Sequence, residues 1–300
     1  MGTASLAQWQ AGGERGTHRG HDIFVRRGGD WADAQRPVLL LIHGYPTSSW
    51  DYAPIWDALA AHFRLLTADM IGFGWSAKPR DYDYRIADQA DLYAELAAQH
   101  GIGRVHLLAH DYGDTVGQEL LARHNEGRGL RLASICWLNG GMFPEVHHAR
   151  LVQKLLHSPL GGALSALMNE RRFRRSFAAV FGPQTRPSDA ELADFWALLR
   201  HNDGHRLQHK LIRYIGERRE HRERWVGAVS DTQVPMRLIN GLADPVSGAD
   251  MAQRYRELVP QADVVGLDGI GHYPQCEDPH EVLSAYLEFV LPLRGQASAA

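Results

Sequence analysis

The chain has 300 residues, of which 44% are hydrophobic and 22% are charged, a composition typical of a globular protein with a substantial core. Its formal net charge of -3 gives no overall attraction to nucleic acid or to an anionic membrane. No run of about 18 apolar residues predicts a transmembrane helix, and the first 20 residues lack the apolar core of a signal peptide. We therefore expect a cytoplasmic protein without integral membrane association and without a nucleic-acid partner.

Short apolar runs separated by helical patterns organise most of the chain. Residues 21–26 alternate between polar and apolar side chains, which predicts an edge strand. Continuous apolar runs, typical of parallel strands buried on both faces, follow at residues 38–42, 63–68, 105–109, 132–138, 234–239 and 263–267. Apolar stripes at residues 52–61 and 85–100 predict helices between them. Alternating strands and helices indicate βαβ units and a mostly parallel sheet.

The strand pattern is interrupted between residues 140 and 230. That segment has helical stretches at residues 149–156, 160–180, 189–202 and 207–225. A helical insertion between two parallel strands would cover their carboxyl ends, where open α/β sheets bind ligands. We therefore predict a core over residues 20–139 and 231–294, a helical cap over 140–230, and flexible tails at 1–19 and 295–300.

The segment AHDYG at residues 109–113 is the most informative motif. It follows an apolar run and precedes a helical pattern, which is the strand–turn–helix layout of the nucleophile elbow in α/β-hydrolases. Its central residue is Asp111 instead of serine. A carboxylate is already ionised at neutral pH, with an unperturbed pKa of about 3.9. Such a nucleophile suits the opening of an epoxide or the displacement of a halide at saturated carbon.

Two later loops complete a nucleophile–acid–histidine order. Asp244 lies in the loop that leaves the strand at residues 234–239, and His272 lies in a glycine-flanked loop after the last strand. An Asp-Pro pair is also a common turn, and one of 17 histidines in a glycine loop is weak by itself. The ordered set, with each member downstream of a strand, predicts that Asp111, Asp244 and His272 act together.

The first buried strand leads into HGYP at residues 43–46. We predict an oxyanion hole in which the backbone N–H groups of Tyr45 and Tyr112 converge, with His43, Gly44 and Pro46 forming the loop. A second glycine-rich segment, at residues 69–76, lacks the remainder of a nucleotide fingerprint and is interpreted as structural. Because neither H-E-x-x-H nor CxxC occurs, we expect no metal and no cofactor.

These residue types predict a two-step reaction on a small apolar electrophile with water as second substrate. Asp111 attacks carbon and forms an alkyl–enzyme ester. His272 then removes a proton from the water that attacks the ester carbonyl. Asp244 orients the imidazole and stabilises its cation.

The motifs together resemble the epoxide hydrolase branch of the α/β-hydrolase superfamily, and more closely the mesoderm-specific transcript protein family. The resemblance covers residues 37–292 and rests on HGYPTSSWDYAPIW, DMIGFGWSAKP, HDYGDTVGQELLAR, LNGGMFPEVH, FGPQTRPSDAELADFWALLRHNDG, RERWVGA, DPVSGAD and GHYPQCEDP. It implies the α/β-hydrolase fold with an inserted all-helical cap, and epoxide hydrolysis to a vicinal diol.

The chain departs from epoxide hydrolases in the cap. Those enzymes use two cap tyrosines as hydrogen-bond donors to the epoxide oxygen, whereas Tyr214 is the single tyrosine between residues 140 and 230. Tyr214 is predicted to be one donor, with a cap-core role as the alternative. The second donor is either missing or replaced by another group, such as His147, His148 or Asn202.

Haloalkane dehalogenases are the nearest alternative. They have Trp directly after the nucleophile and Asn in the oxyanion loop, where this chain has Tyr112 and Tyr45. Trp137 and Asn139 are further candidate donors, for which core and turn roles are favoured. The sequence therefore favours epoxides over halides.

A non-catalytic interaction protein is a third possibility. The arginine-rich segments 171–175 and 213–224 would then form a basic cap surface for an anionic partner. Because Glu217, Glu220 and Glu223 are interspersed, a solvated helical face is the favoured interpretation.

Overall fold

The computed structural model describes residues 3–293, and within that range eight strands form one sheet in the order β1-β2-β4-β3-β5-β6-β7-β8. The strands are β1 (Gly13–His18), β2 (His21–Gly28), β3 (Val38–Ile42), β4 (Arg64–Ala68), β5 (Arg104–His110), β6 (Arg131–Leu138), β7 (Met236–Gly241) and β8 (Asp263–Leu267). Neighbours among β3 to β8 pair in parallel, while β1 and β2 are antiparallel to their neighbours. The predicted mostly parallel α/β sheet is confirmed.

Some helices cover the two faces of this sheet, and others form an insertion between β6 and β7. They are α1 (Leu6–Ala11), α2 (Ala53–Ala60), α3 (Ile86–Gln99), α4 (Tyr112–Asn125), α5 (Leu151–Leu156), α6 (Gly161–Ala166), α7 (Glu170–Ala178), α8 (Asp189–Arg200), α9 (Gln208–Leu211), α10 (Tyr214–Glu220), α11 (Arg222–Asp231), α12 (Ala249–Leu258), α13 (Pro274–Glu277) and α14 (Pro279–Val290). Alternate side chains of β3 explain its continuous apolar run. Leu40 and Ile42 pack in the layer of α3 and α4, and Leu39 and Leu41 pack in the layer of α2 and α14.

The amino-terminal segment is structured, so the prediction of a flexible tail over residues 1–19 is wrong for the described residues. α1 begins after Ser5, whose side chain forms a capping box with Gln8, and Trp9 is fully buried against Trp56. β1 pairs with β2, which makes β1 the edge strand and corrects the edge position predicted for residues 21–26. β1 is mostly polar and exposed and carries no apolar signal. The predicted tail at 295–300 lies outside the described residues.

Seven helices, α5 to α11, lie between β6 and β7, so the predicted helical insertion is confirmed within the described range. The predicted helix over residues 160–180 is broken into α6 and α7, because Asn169 accepts a hydrogen bond from the backbone of Arg172 and starts a new helix. The stretch at 207–225 is divided among α9, α10 and α11. α11 packs against α4 of the core. No helix within residues 3–293 has both the length and the apolar character needed to cross a membrane.

Candidate active site

Asp111 occupies a sharp turn between β5 and α4. Its backbone has φ 47° and ψ -104°, a conformation that a non-glycine residue adopts only under strain. The turn packs tightly on the neighbouring strand, since a Cβ at Gly113 would lie 2.3 Å from the carbonyl oxygen of Ile42. The structure therefore gives the predicted elbow its strained geometry and presents Asp111 at the carboxyl edge of the sheet.

Asp244 and His272 come from loops at the same edge, because β7, β8 and β5 run parallel. His272 Nδ1 lies 2.7 Å from Asp244 Oδ2, and its Nε2 lies 3.9 Å from Asp111 Oδ2. The imidazole thus stands between the two carboxylates. The structure brings together the three residues that the sequence separates by as many as 161 positions (272 minus 111).

Asp244 is held by four donors, counting His272. Val246 N–H donates to Oδ1 at 2.8 Å, while the Asn139 amide and the Ser247 hydroxyl donate to Oδ2 at 3.0 and 2.8 Å. Asn139 follows β6 directly and also bridges to the backbone of Gly241. The sequence left Asn139 as a turn residue. The sequence signal that was overlooked is the position of Asn139 at the end of β6, the strand that pairs with β7 and so ends close to Asp244.

The electrostatics favour an ion pair in the resting site. Burial alone would raise the pKa of Asp111, but its interaction with His272, and then the charge of Arg218, hold that pKa below its ordinary value. Burial opposes a charge on His272, yet Asp244 and Asp111 raise its pKa above the ordinary 6.5. Burial alone would raise the pKa of Asp244, but the charge and hydrogen bond of His272, together with the hydrogen bonds from Val246 and Ser247, lower it below its ordinary value. Two carboxylates therefore flank a protonated imidazole.

The loop after β3 supplies a backbone donor to Asp111. Tyr45 N–H lies 3.0 Å from Asp111 Oδ2, which is the contact expected of an oxyanion-hole donor. Gly44 lets this loop approach, since a Cβ there would lie 3.0 Å from Asp111 Cβ. The Tyr45–Pro46 peptide is cis. His43 accepts from Met70 N–H at 3.0 Å and donates to the Gly44 carbonyl, so its side chain anchors the loop.

Tyr112, the other predicted donor, begins α4 directly after the nucleophile. Its ring is fully buried, packs 4.7 Å from the Tyr214 ring, and its hydroxyl donates to the Tyr84 carbonyl at 3.3 Å. The side chain of Tyr112 is therefore turned to the core, and any role in the oxyanion hole belongs to its backbone.

The cap helix α10 places two side chains against Asp111. Tyr214 donates from its hydroxyl to Asp111 Oδ1 at 3.4 Å. Arg218 is 2% exposed, donates from Nη2 to the Asp111 carbonyl at 3.0 Å, and donates from Nε to Thr115 at 2.7 Å. The predicted solvated face is therefore wrong for Arg218. Arg218 follows Tyr214 by four residues, and this spacing puts both side chains on one helix face. The spacing was the sequence signal that Arg218 lies beside Asp111 together with Tyr214.

Two of the three other candidate donors lie away from Asp111. His148 is 61% exposed at its side chain and pairs with Asp250 at the surface. Asn202 lies at a kink after α8 and is absent from the cavity beside Asp111. His147 has a buried Nε2 with no hydrogen-bond partner in the described part of the chain, and burial with the nearby Arg218 charge lowers its pKa to about 3. Of these three, His147 alone lies near the nucleophile.

A cavity that is open to solvent lies beside Asp111. Asp111, His272, Tyr45 and Tyr273 form its polar end. Apolar side chains of the cap form most of its walls, including Val152, Leu156, Met168, Phe173, Phe177 and Val180. Its mainly apolar lining suits a small apolar ligand.

Comparison with known proteins places this geometry in a family. A family profile described as alpha/beta hydrolase fold matches residues 37–140. The mesoderm-specific transcript protein of Mus musculus is 41% identical over 297 residues, which cover 95% of this chain and 88% of the relative. The chain belongs to the mesoderm-specific transcript protein family of α/β-hydrolases. The resemblance inferred from the sequence is thereby confirmed.

This member of the family also shares its fold with solved enzymes. Haloalkane dehalogenase DbeA from Bradyrhizobium elkani USDA94 superposes with a TM-score of 0.80 at 22% identity, covering 95% of this chain and 99% of the other. Epoxide hydrolase CorEH superposes with a TM-score of 0.77 at 19% identity, covering 94% and 99%. At these identities the likeness establishes the α/β-hydrolase fold alone.

Proposed function

We propose that this protein is an epoxide hydrolase that acts through a covalent ester on Asp111. The observation that carries the proposal is the set of groups around one carboxylate. A tyrosine hydroxyl lies 3.4 Å from Asp111 Oδ1, and a backbone donor lies 3.0 Å from Oδ2. The carboxylate is ionised beside a hydroxyl that can protonate an epoxide oxygen, which is the pair of groups that ring opening requires.

In the first step, Asp111 Oδ1 attacks one epoxide carbon as the carbon–oxygen bond breaks. The departing oxygen takes a proton from the Tyr214 hydroxyl, and the protonated His272 restores that proton to Tyr214. The products are a hydroxyalkyl ester of Asp111 and a neutral imidazole. Because burial and the charge of Asp111 raise the pKa of Tyr214, tyrosinate is a short-lived species here.

The second step uses the imidazole that the first step leaves neutral. Esterification removes the charge of Asp111, one of the two carboxylates that raise the pKa of His272. His272 takes a proton from water as that water attacks the ester carbonyl, and Tyr45 N–H donates to the resulting oxyanion. Collapse releases the diol oxygen, which takes the proton from His272. The new carboxylic acid of Asp111 returns a proton to His272.

The cap supplies one tyrosine hydroxyl, and the core can supply a second. Tyr45 lines the cavity beside Asp111, and its ring centroid lies 6.0 Å from that of Tyr214. We assign the second donor to the side chain of Tyr45, on the core side of the cavity. This replaces the cap donors His148 and Asn202, which lie away from the nucleophile.

Halide displacement is the rival reaction, and both reactions are named among enzymes of this fold. The position after the nucleophile argues against it. Tyr112 occupies that position with its hydroxyl bonded to the Tyr84 carbonyl, so it has no ring N–H to offer a halide.

A paired assay separates the candidates. Purified protein is given an aryl epoxide and, separately, a bromoalkane, with diol and bromide measured in parallel. We expect diol formation that Asp111→Ala abolishes. Bromide release that exceeds diol formation would make the protein a dehalogenase, and an absence of both products would favour an interaction protein.

A further inference from the structure

One arginine lines the mainly apolar active-site cavity. Arg150 directly precedes α5 and is the only lysine or arginine among the described residues that line this cavity. Its Nη1 is buried and has no hydrogen-bond partner within residues 3–293. No described carboxylate forms an ion pair with it. Arg150 is therefore half-buried in the lining of the cavity, and none of the described carboxylates is paired with its guanidinium.

Two other arginines of the cap have carboxylate partners. Arg174 pairs with Glu170 at 2.6 Å, and Arg222 pairs with Glu145 at 2.7 Å. A buried donor without an acceptor costs free energy, because the solvent it lost is not replaced. The guanidinium fork matches a carboxylate with two parallel hydrogen bonds. An unpaired Arg150 in the cavity wall thus fits an acceptor that arrives with the ligand.

We propose that Arg150 binds a carboxylate of the substrate, so that the preferred substrates are epoxides on the chain of a carboxylic acid. The carboxylate subsite rests on the proposed function only in taking the other end of the substrate to be an epoxide. Asp111 receives the epoxide, and Arg150 receives the carboxylate. Apolar walls that include Val152, Leu156 and Phe173 contact the hydrocarbon chain between them. The site then selects anionic apolar epoxides over neutral ones.

Binding of unreactive probes tests the anion subsite without requiring catalysis. Hexanoate, octanoate and decanoate are compared with the matched alcohols by isothermal titration calorimetry on the intact protein. We expect at least one carboxylate to bind roughly ten- to a hundredfold more tightly than its alcohol. Arg150→Gln should remove that preference and leave the affinity for the alcohol unchanged, whereas Arg150→Lys should keep part of it.

Arg171→Gln is the matched control, because Arg171 lies exposed on α7 and does not line the cavity. It should leave the preference intact. Equal binding of acids and alcohols to the wild type would overturn the proposal. So would a carboxylate preference that survives Arg150→Gln, or one that Arg171→Gln abolishes equally.

Turnover of terminal epoxides on alkanoic acids and on their methyl esters completes the test. We expect a lower KM for the acid with little change in kcat, and Arg150→Gln should equalise the two KM values. If carboxylates bind through Arg150 but no epoxide is hydrolysed, the proposed function fails and the anion subsite stands. If neutral and anionic epoxides are hydrolysed with equal KM, the anion subsite fails and the proposed function stands.

Discussion

Arg218 Nη2 donates a hydrogen bond to the backbone carbonyl of Asp111 at 3.0 Å and lies 3.6 Å from its Oδ1. A cap side chain is thereby hydrogen-bonded to the turn that carries the nucleophile. The same guanidinium lies 4.5 Å from the centre of the Tyr214 ring, so it also fixes the proposed proton donor. Nucleophile, donor and cap are thus coupled through one buried charge.

Arg218→Gln is expected to lower the rate of ester formation roughly ten- to a hundredfold, because the turn and Tyr214 lose their shared support. It should also move the acidic limb of the pH–rate profile to higher pH, since the charge of Arg218 lowers the pKa of Asp111. Arg222→Gln, which breaks a surface pair with Glu145, is the control. A lower rate with an unmoved acidic limb would reduce Arg218 to a packing role.

His272→Gln should trap the ester. Because Asp111 is already ionised, attack on the epoxide does not need a base, whereas hydrolysis does. We expect the hydrolysis rate to fall roughly a hundred- to ten-thousandfold, with one equivalent of substrate on the protein by intact mass spectrometry. The double variant with Asp111→Ala should carry no adduct. A single variant that turns over without adduct would contradict the assigned order of steps.

Removal of the Asp111 charge should lower the pKa of His272. Asp244 and Asp111 both raise that pKa, so Asp111→Ala leaves one carboxylate in contact and the imidazole loses its proton at lower pH. Nitrogen NMR of the imidazole measures the shift directly. In the wild type, the ester likewise removes the Asp111 charge, so the rate of ester hydrolysis should rise with pH through this lower pKa of His272. An unchanged pKa in the variant would show that esterification does not switch His272 into a base.

Tyr214→Phe should slow ester formation from an epoxide roughly a hundredfold and leave hydrolysis of the formed ester nearly unchanged. Rapid-quench kinetics separate the two steps. Tyr286→Phe is the matched control, because Tyr286 is buried in the layer of α14 and away from the site. Equal losses in both steps would point to packing instead of proton donation.

Local sequence patterns were sufficient to predict the buried parallel strands and the catalytic residues whose side-chain type indicates their chemistry. β3 is apolar throughout because both faces are covered, and Asp111 was visible because a strand, a turn and a helix follow one another. β1 was missed because an edge strand that is mostly exposed needs no apolar face. Trp9 is the buried residue of the preceding helix, α1.

The arrangement of the cap could not be predicted in this way. Arg218 lies in a run of charged residues that resembles a solvated helix, and its burial depends on where α10 crosses the nucleophile turn. Arg150 is equally ordinary in sequence, and only the packing around it shows that its Nη1 has no hydrogen-bond partner among the described residues. Tyr45 was assigned through its backbone, while its side chain proved to line the cavity.

The central claim is that Asp111 forms the covalent ester, and oxygen labelling tests it most directly. A single turnover with excess enzyme is run in heavy-oxygen water, and the peptide that contains Asp111 is analysed by mass spectrometry. Because water attacks the ester carbonyl, one labelled oxygen should appear in the Asp111 carboxylate while the diol keeps unlabelled oxygens. Label in the diol and none in Asp111, with activity intact, would contradict the account.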